Sequence, residues 1–403
     1  MSDQMQWTNA LSTRASLEAA INDVVEQATA SLTAPADLGF VFISSAFMSE
    51  YPRLLPLLAE KLSVPVLIGC SAGGIIGRKK AEETEEIEAE SALSLTLAHL
   101  PGVEIRPFHI LVEDLPDSDS SPKAWIDLMG VPASPAPQFI LLSSPFGSEI
   151  NDLLAGLDFA YPGSVVVGGQ ASSGFMNGRI GLFCNDQLLR EGIIGITLTG
   201  NIVLDTIVAQ GCRPIGEPLQ ITKAERNIII ELDEKKPLMV LRDLIGSLSE
   251  YDRNLAQDSL FVGLAMDEFR LNLHSGDFLI RNILGVEPNA GVIAIGDRIR
   301  VGQRLQFHLR DASASAQDLE ILLQKYQSQN TGTCSPVGSL IFTCLGRGKG
   351  LYGRPNVDSQ LFSRYLHNLP ISGFFCDGEI GPVSGRTFLH GYTSVFVICR
   401  SRE

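Results

Sequence analysis

The feature that most constrains this chain is a repeat hidden in its first half. Residues 40–72 align with residues 139–171 at a constant offset of 99, without gaps, and twelve of the 33 positions are identical. The pairs are Phe40/Phe139, Ser44/Ser143, Ser45/Ser144, Phe47/Phe146, Ser49/Ser148, Glu50/Glu149, Leu54/Leu153, Leu55/Leu154, Leu58/Leu157, Val66/Val165, Gly69/Gly168 and Ala72/Ala171. A repeated sequence unit folds as a repeated supersecondary unit, so one element order has to serve both copies.

That order is legible. FVFISS and FILLSS are short apolar runs that suit a buried strand. A polar turn follows, then leucines at 54, 55 and 58, or 153, 154 and 157, which make one face of a helix. VPVLIG and SVVVGG are second buried strands, ending in the Gly-rich turns at 69–77 and 168–174. A further strand follows each turn, SALSLTLAHL and EGIIGITLTG. Strand, helix and strand in that order imply a right-handed parallel crossover. The C-terminal region reads as a weaker third copy: SLIFTCLGRG, the helix VDSQLFSRYLHNL, ISGFFCDGEIG at 371–381, and LHGYTSVFVIC. Between lie the strand candidates of 226–310 and one helix candidate, PLMVLRDLIGSL, read as a fourth, degraded copy. The expected fold class is α/β: repeated strand–helix–strand units with internal duplication, in two mixed-sheet domains around a shared cleft.

Composition removes several function classes. An apolar fraction of 45% against 19% charged residues marks a folded globular chain. The net charge of -15 would repel phosphate backbones and anionic lipid, so nucleic acid and membrane are not the expected partners. No apolar run reaches the ~20 residues that span a bilayer. The N-terminus lacks an apolar signal core, and a cytoplasmic location is expected. The 7 cysteines form no C-x-x-C pair, and the 6 histidines are scattered, so neither a disulfide framework, a metal nor a cofactor is expected. The acidic run EETEEIEAE at 82–90 reads as a solvated surface segment.

The chemistry-bearing motifs cluster at the turns. Gly69-Cys70-Ser71-Ala72-Gly73 matches the G-x-S-x-G nucleophile elbow, which would make Ser71 a hydrolase nucleophile. The repeat-equivalent residues are Gln170 and Phe375, however, and glycines rather than a helix follow, so a turn lining a cleft is the preferred reading. Cys70 is a second nucleophile candidate at the same turn. Gly346-Arg347-Gly348-Lys349-Gly350 is basic and Gly-rich without being a P-loop, and Arg347 there suits a small anion such as a carboxylate. Arg310 is a second candidate for that role. Cys376-Asp377-Gly378-Glu379 puts two carboxylates on one tight turn, where Asp377 or Glu379 could hold an ammonium group. His390 opens a strand nearby.

Together GCSAGGIIG, RLQFHLRDASASAQDL, LIFTCLGRG, FFCDGEIGP and FLHGYTS resemble the FIST (F-box and intracellular signal transduction) family, over roughly residues 38–382. The resemblance implies an N-terminal extension at 1–37, a FIST N-like domain at 38–215 and a FIST C-like domain at 216–403. It also implies a sensory module for small ligands, with amino acids as the suspected class, and it carries no catalytic residue set. In that family the module is often fused to an output domain or an F-box. Here 403 residues leave no room for one, so signalling is expected to run through a separate output protein. The expected ligand-binding residues are Cys70, Ser71, Gly73, Gly169, Gln170, Arg310, Cys344, Arg347, Asp377, Glu379 and His390. A hydrolase using Ser71 or Cys70, and a protein-binding adaptor, stand as alternatives.

Overall fold

The structure is a computed structural model that describes all residues except 1–3, 80–82, 146–149, 175–178, 268, 269, 271, 272, 274, 331–333 and 403. Three of the repeat identities, at Phe146, Ser148 and Glu149, lie outside the described residues. The chain divides into two compact units: residues 1–208 with 321–403, and residues 209–320.

The first unit contains the repeat three times. Copy one runs β1 (Gln6–Ser12), α1 (Leu17–Ala30), β2 (Leu38–Ser44), α2 (Tyr51–Ala59), β3 (Val66–Ala72), a hairpin of β4 (Gly74–Arg78) and β5 (Thr84–Glu88), and β6 (Leu93–His99). Copy two runs β7 (Val103–Ile110), α3 (Pro122–Met129), β8 (Gln138–Ser143), α4 (Ile150–Ala160), β9 (Val166–Gln170), a hairpin of β10 (Leu182–Cys184) and β11 (Gln187–Leu189), and β12 (Ile193–Gly200). Copy three starts with β13 (Val203–Ala209) and is then interrupted.

The interruption is the second unit, β14 (Cys212–Glu225), β15 (Ile228–Leu232), α5 (Pro237–Ser247), α6 (Glu250–Asp258), β16 (Leu260–Ala265), β17 (Phe278–Glu287), β18 (Val292–Ile295) and β19 (Arg304–Arg310). These strands close a barrel in the order β14-β15-β18-β17-β16-β19. The expected fourth copy is therefore corrected. The barrel pairings are antiparallel, so the parallel crossover that defines the repeat is missing. Leu305, Phe307 and Leu309 alternate into the barrel core with Val262, Leu264 and Ile293.

After α7 (Ala312–Gln329), copy three resumes with β20 (Gly338–Cys344), α8 (Lys349–Tyr352), α9 (Val357–Tyr365), β21 (Ile371–Cys376), a hairpin of β22 (Glu379–Val383) and β23 (Arg386–His390), and β24 (Ser394–Arg400).

The three sheets have the same order: β1-β6-β2-β3-β10-β11, β7-β12-β8-β9-β22-β23, and β13-β24-β20-β21-β4-β5. Each copy thus keeps four strands and sends its hairpin to the sheet of another copy. Copy one gives β4-β5 to copy three, copy three gives β22-β23 to copy two, and copy two gives β10-β11 to copy one. The exchange closes as a ring.

Sequence causes for this geometry are visible. The expected helix faces are the buried ones: Leu54, Leu55 and Leu58 on α2, and Leu153, Leu154 and Leu157 on α4. One glycine per copy is sterically required. A Cβ on Gly69, Gly168 or Gly373 would stand 1.8 Å from the carbonyl oxygen of Val41, Leu141 or Ile341, its partner on the neighbouring parallel strand. The inner faces of the three sheets share one apolar core, in which Phe374 meets Phe42 at 5.0 Å and Phe342 at 5.6 Å between ring centroids.

Candidate functional site

The hairpin exchange brings the three Gly-rich turns together. A single hydroxyl touches all of them: Ser172 Oγ accepts the N–H of Gly73 at 2.9 Å and donates to the carbonyl of Phe375 at 2.5 Å. A Cβ on Gly73 would stand 2.5 Å from Cα of Gly174, so the first two turns meet backbone to backbone. The second and third are stitched by Gln170 N–H to Gly378 O at 2.8 Å and Asp377 N–H to Gln170 O at 3.2 Å.

Ser71 serves this stitching. It is buried, it lies next to last on strand β3, which another strand and not a helix follows, and its Oγ accepts the N–H of Gly181 at 2.9 Å and donates to Ser172 O at 3.5 Å. The phenol of Tyr51 lies against it. None of these partners is a general base. Cys70 is buried in the apolar core, and burial pushes its thiol well above the ordinary range. A thiol held protonated is a poor nucleophile.

Arg347 is where the structure departs most from the sequence expectation. It is 0% exposed, and its guanidinium is already paired. Nε donates to Asp358 Oδ2 at 2.8 Å and Nη2 to Asp358 Oδ1 at 2.9 Å, the bidentate geometry that suits a carboxylate. Nη2 also donates to the Tyr352 phenol at 2.7 Å, and Nη1 to Tyr392 O at 3.4 Å. Asp358 further accepts from Ser394 Oγ at 2.7 Å and Tyr352 at 2.8 Å. Burial alone would raise its carboxyl. The charge of Arg347 and these hydrogen bonds outweigh that, and hold it below the usual carboxylate range. The anion for Arg347 is thus supplied by the protein.

Glu379 presents the opposite case. It is 0% exposed; Oε2 accepts the N–H of Thr393 at 3.1 Å, and Oε1 has no hydrogen-bond partner. Burial drives its carboxyl well above the ordinary range, and the Thr393 N–H, the Arg347 charge and the Cys344 thiol beside the carboxyl offset this only in part. Its strand register sets its surroundings: Glu379 lies opposite Gly169 on β9 and His390 on β23. A Cβ on Gly169 would stand 2.5 Å from Sγ of Cys376. Cys344 faces Cys376 in parallel register, and burial followed by the Glu379 charge pushes its thiol to about 12. His390 is fastened by Nε2 to Gly381 O at 3.0 Å.

The expected site residues therefore separate. Cys70, Ser71, Gly73, Gly169, Gln170, Cys344, Arg347, Glu379 and His390 lie at or beside the converging turns. Asp377 belongs to the same turn but is exposed while Glu379 is buried. Arg310 ends β19 in the second unit. Three residues went unnoticed in the sequence. Asp358 had a signal, an acid in the first turn of the helix after the basic loop. Ser172 had a weaker one, a hydroxyl within the second turn. Glu86 was hidden in the acidic run. Residues 84–88 of that run form strand β5 rather than a solvated segment, and Glu86 in it is 3% exposed.

Elsewhere an apolar groove of about 350 Å³ is lined by Leu55, Leu58, Leu62, Val64, Leu67 and Asn185, apart from the turns. Among the described residues no group of His, Cys, Asp and Glu is placed to hold a metal ion, and no helix is long and apolar enough to cross a membrane.

Comparison with known proteins adds a family. The FIST N domain matches residues 37–235 and the FIST C domain residues 237–382. An uncharacterized protein of Mycobacterium tuberculosis is 36% identical over 341 residues, 85% of each chain. One of Mycobacterium bovis is 33% identical over 351 residues, 87% of each chain. An F-box/LRR-repeat protein of Arabidopsis thaliana is 24% identical over 88% of this chain and 79% of its own. A cyanuric acid hydrolase structure from A. caulinodans covers 99% of this chain and 100% of its own, but at a TM-score of 0.33 and 8% identity it bears on neither fold nor function.

Proposed function

This chain belongs to the FIST family, whose domains are sensory domains of signal transduction, and from that premise we propose that it is a small-ligand sensor whose site is the turn cluster around Glu379. The observation that carries this reading is the buried Oε1 of Glu379 without a partner. Leaving a buried acceptor unsatisfied costs about 1–3 kcal/mol, and more for a charged group. A ligand that brings an ammonium or amine N–H to that oxygen supplies the missing bond. An ammonium also lets the carboxyl ionise, because an opposite charge favours its charged form. Amino acids and other small primary amines fit this chemistry.

In this reading Arg347 acts through its charge on Glu379 rather than by touching the ligand, since Asp358 already holds it. Gly73, Gly169, Gln170 and Cys344 form the walls, with Cys70, Ser71, Cys376 and His390 behind them. Ser71 and Cys70 have no nucleophile's role. The signal passes to a separate output protein in the cytoplasm. Thermal-shift screening of the amino acids and simple primary amines is the test. A ligand at 100 times Kd stabilises by about 2.7 kcal/mol, so a hit raises the midpoint clearly. A flat profile across the whole panel would sink the reading.

A further inference from the structure

Each exchanged hairpin packs against a helix of the copy that receives it, so three hairpin–helix seams can be compared. Two are bridged by a carboxylate. At α4 of copy two, the Thr387 N–H and hydroxyl of β23 both donate to Asp158 at 2.7 Å. At α9 of copy three, Glu86 of β5 accepts the N–H of Ser359 at 2.8 Å and that of Asn356 at 3.0 Å. The third seam, between β10-β11 and α2 of copy one, is joined differently. Arg190 lies over the Tyr51 ring at 5.8 Å. Asn185 N–H donates to Leu67 O at 2.7 Å, and Asn185 Oδ1 accepts the Leu67 N–H at 3.1 Å. Beside this second bridge lies the apolar groove of about 350 Å³.

The repeat explains why this seam is open. At the offset of 99, Ala59 corresponds to Asp158 and Leu62 to Tyr161. In copy two Asp158 makes the bridge, and Tyr161 is 1% exposed, its phenol donating to Val131 O at 2.9 Å. In copy one Ala59 has no polar group to reach the hairpin, and Leu62 is smaller than tyrosine and half-buried. The space between remains as the groove, with the buried Leu55, Leu58 and Leu67 in its lining. Its volume falls in the range of small-ligand sites, about 300–1,000 Å³.

The charge at the groove has one sign. Asp186, the charged residue of the lining, stands on the two-residue turn between β10 and β11. That turn is fixed, because Asn185 is at positive φ and is bound to Leu67 through both main chain and side chain. The cations nearby are engaged or offset. Arg53 pairs with Glu18 and Glu50, Arg190 donates to Ile180 O at 2.6 Å, and Lys61 follows Glu60 in the chain. A cationic head group therefore meets an opposite charge here, whereas an anionic one meets a like charge.

We propose that this groove is a ligand site in its own right, taking a small apolar amine: the hydrocarbon part lies on Leu55, Leu58 and Leu67, and the ammonium meets the Asp186 carboxylate. The occupant does at this seam what Tyr161 and Asp158 do in copy two, filling the gap and joining helix to hairpin. The site is apart from the turns around Glu379 and does not rest on the sensor reading.

Calorimetric titration of the full chain with butyl-, hexyl- and octylammonium chloride tests it. Affinity should rise about fourfold for each added CH2. 1-Octanol should bind more weakly than octylammonium, and octanoate more weakly still. Asp186→Asn should remove the advantage of the ammonium over the alcohol and keep the gradient with chain length. Leu62→Tyr puts the copy-two residue into copy one, and should lower octylammonium affinity about tenfold or more as the tail loses its buried contact area. Ala59→Trp fills the groove from an exposed position of α2 and should act alike. Glu379→Gln should change none of these results, which tells the groove from the turn cluster. The proposal is overturned by affinity that is flat in chain length, by octanoate binding as well as octylammonium, or by an ammonium advantage that survives Asp186→Asn. Binding undiminished in both Leu62→Tyr and Ala59→Trp, or lost in Glu379→Gln, overturns it equally.

Discussion

Arg347 with Asp358 and Glu379 are two buried ionisable centres on neighbouring segments of the same copy, and they differ in one respect. The first is closed: the guanidinium spends its donors on Asp358, Tyr352 and Tyr392. The second is open, with Glu379 Oε1 unmatched. A basic residue in a Gly-rich loop looks from sequence like a ligand contact, yet here it is part of the frame. The acid Glu379 on its tight turn was an equal candidate from sequence, and it is the group left with unmet bonding. Burial together with partners, rather than residue type, separates frame from site.

The contrast can be broken most strongly at the closed centre. Asp358→Ala leaves Arg347 buried without its counterion and should cost about 3–5 kcal/mol in urea unfolding. An effect below 1 kcal/mol would mean that the pair is not closed. The repeat glycines should come next. Gly69→Ala, Gly168→Ala and Gly373→Ala each force a methyl group onto a backbone carbonyl, with an expected loss of about 1–3 kcal/mol or more. Similar losses at all three would support the common geometry. A neutral result at one would break the equivalence of the copies. Ser71→Ala should cost about 1–3 kcal/mol, because it leaves the buried Gly181 N–H without its acceptor, and should remove no labelling by serine-hydrolase probes. Probe labelling that depends on Ser71 would reinstate the nucleophile.

The open centre is read by the opposite sign. Glu379→Gln removes a carboxyl that is costly to ionise, so unfolding at pH 8 should be harder than in the wild type. Because the Glu86 and Glu379 carboxyls are both raised, wild-type stability should decline from pH 5.5 to pH 8, and each Gln substitution should flatten part of that decline. A wild type that gains stability over this range would contradict both assignments.

Much of the fold was legible. The offset of 99 fixed the element order of two copies, and the glycines marked the ends of the second strands. The hairpin exchange was not legible, because it depends on pairing between short strands such as β4 and β21. That pairing is set by register and not by pattern. The barrel was misread as a copy because alternating apolar residues announce a strand without saying whether its neighbour is parallel. At the site, the turns were found from their glycines. The partners of Arg347 were not, because Asp358 sits 11 residues along on a helix and Tyr392 lies 45 residues along in the chain. Pairing across such separations is set by the fold rather than by local pattern.

The central claim is that Glu379 is a buried, protonated carboxyl awaiting a cationic partner. Carboxyl carbon NMR of protein labelled at glutamate, with the resonance assigned through Glu379→Gln, tests it most directly. The account predicts a protonated signal for Glu379 at neutral pH that moves to the carboxylate position when a primary amine from the thermal-shift panel binds. A Glu379 that titrates in the ordinary carboxylate range, or that stays unchanged while such a ligand binds, would contradict it.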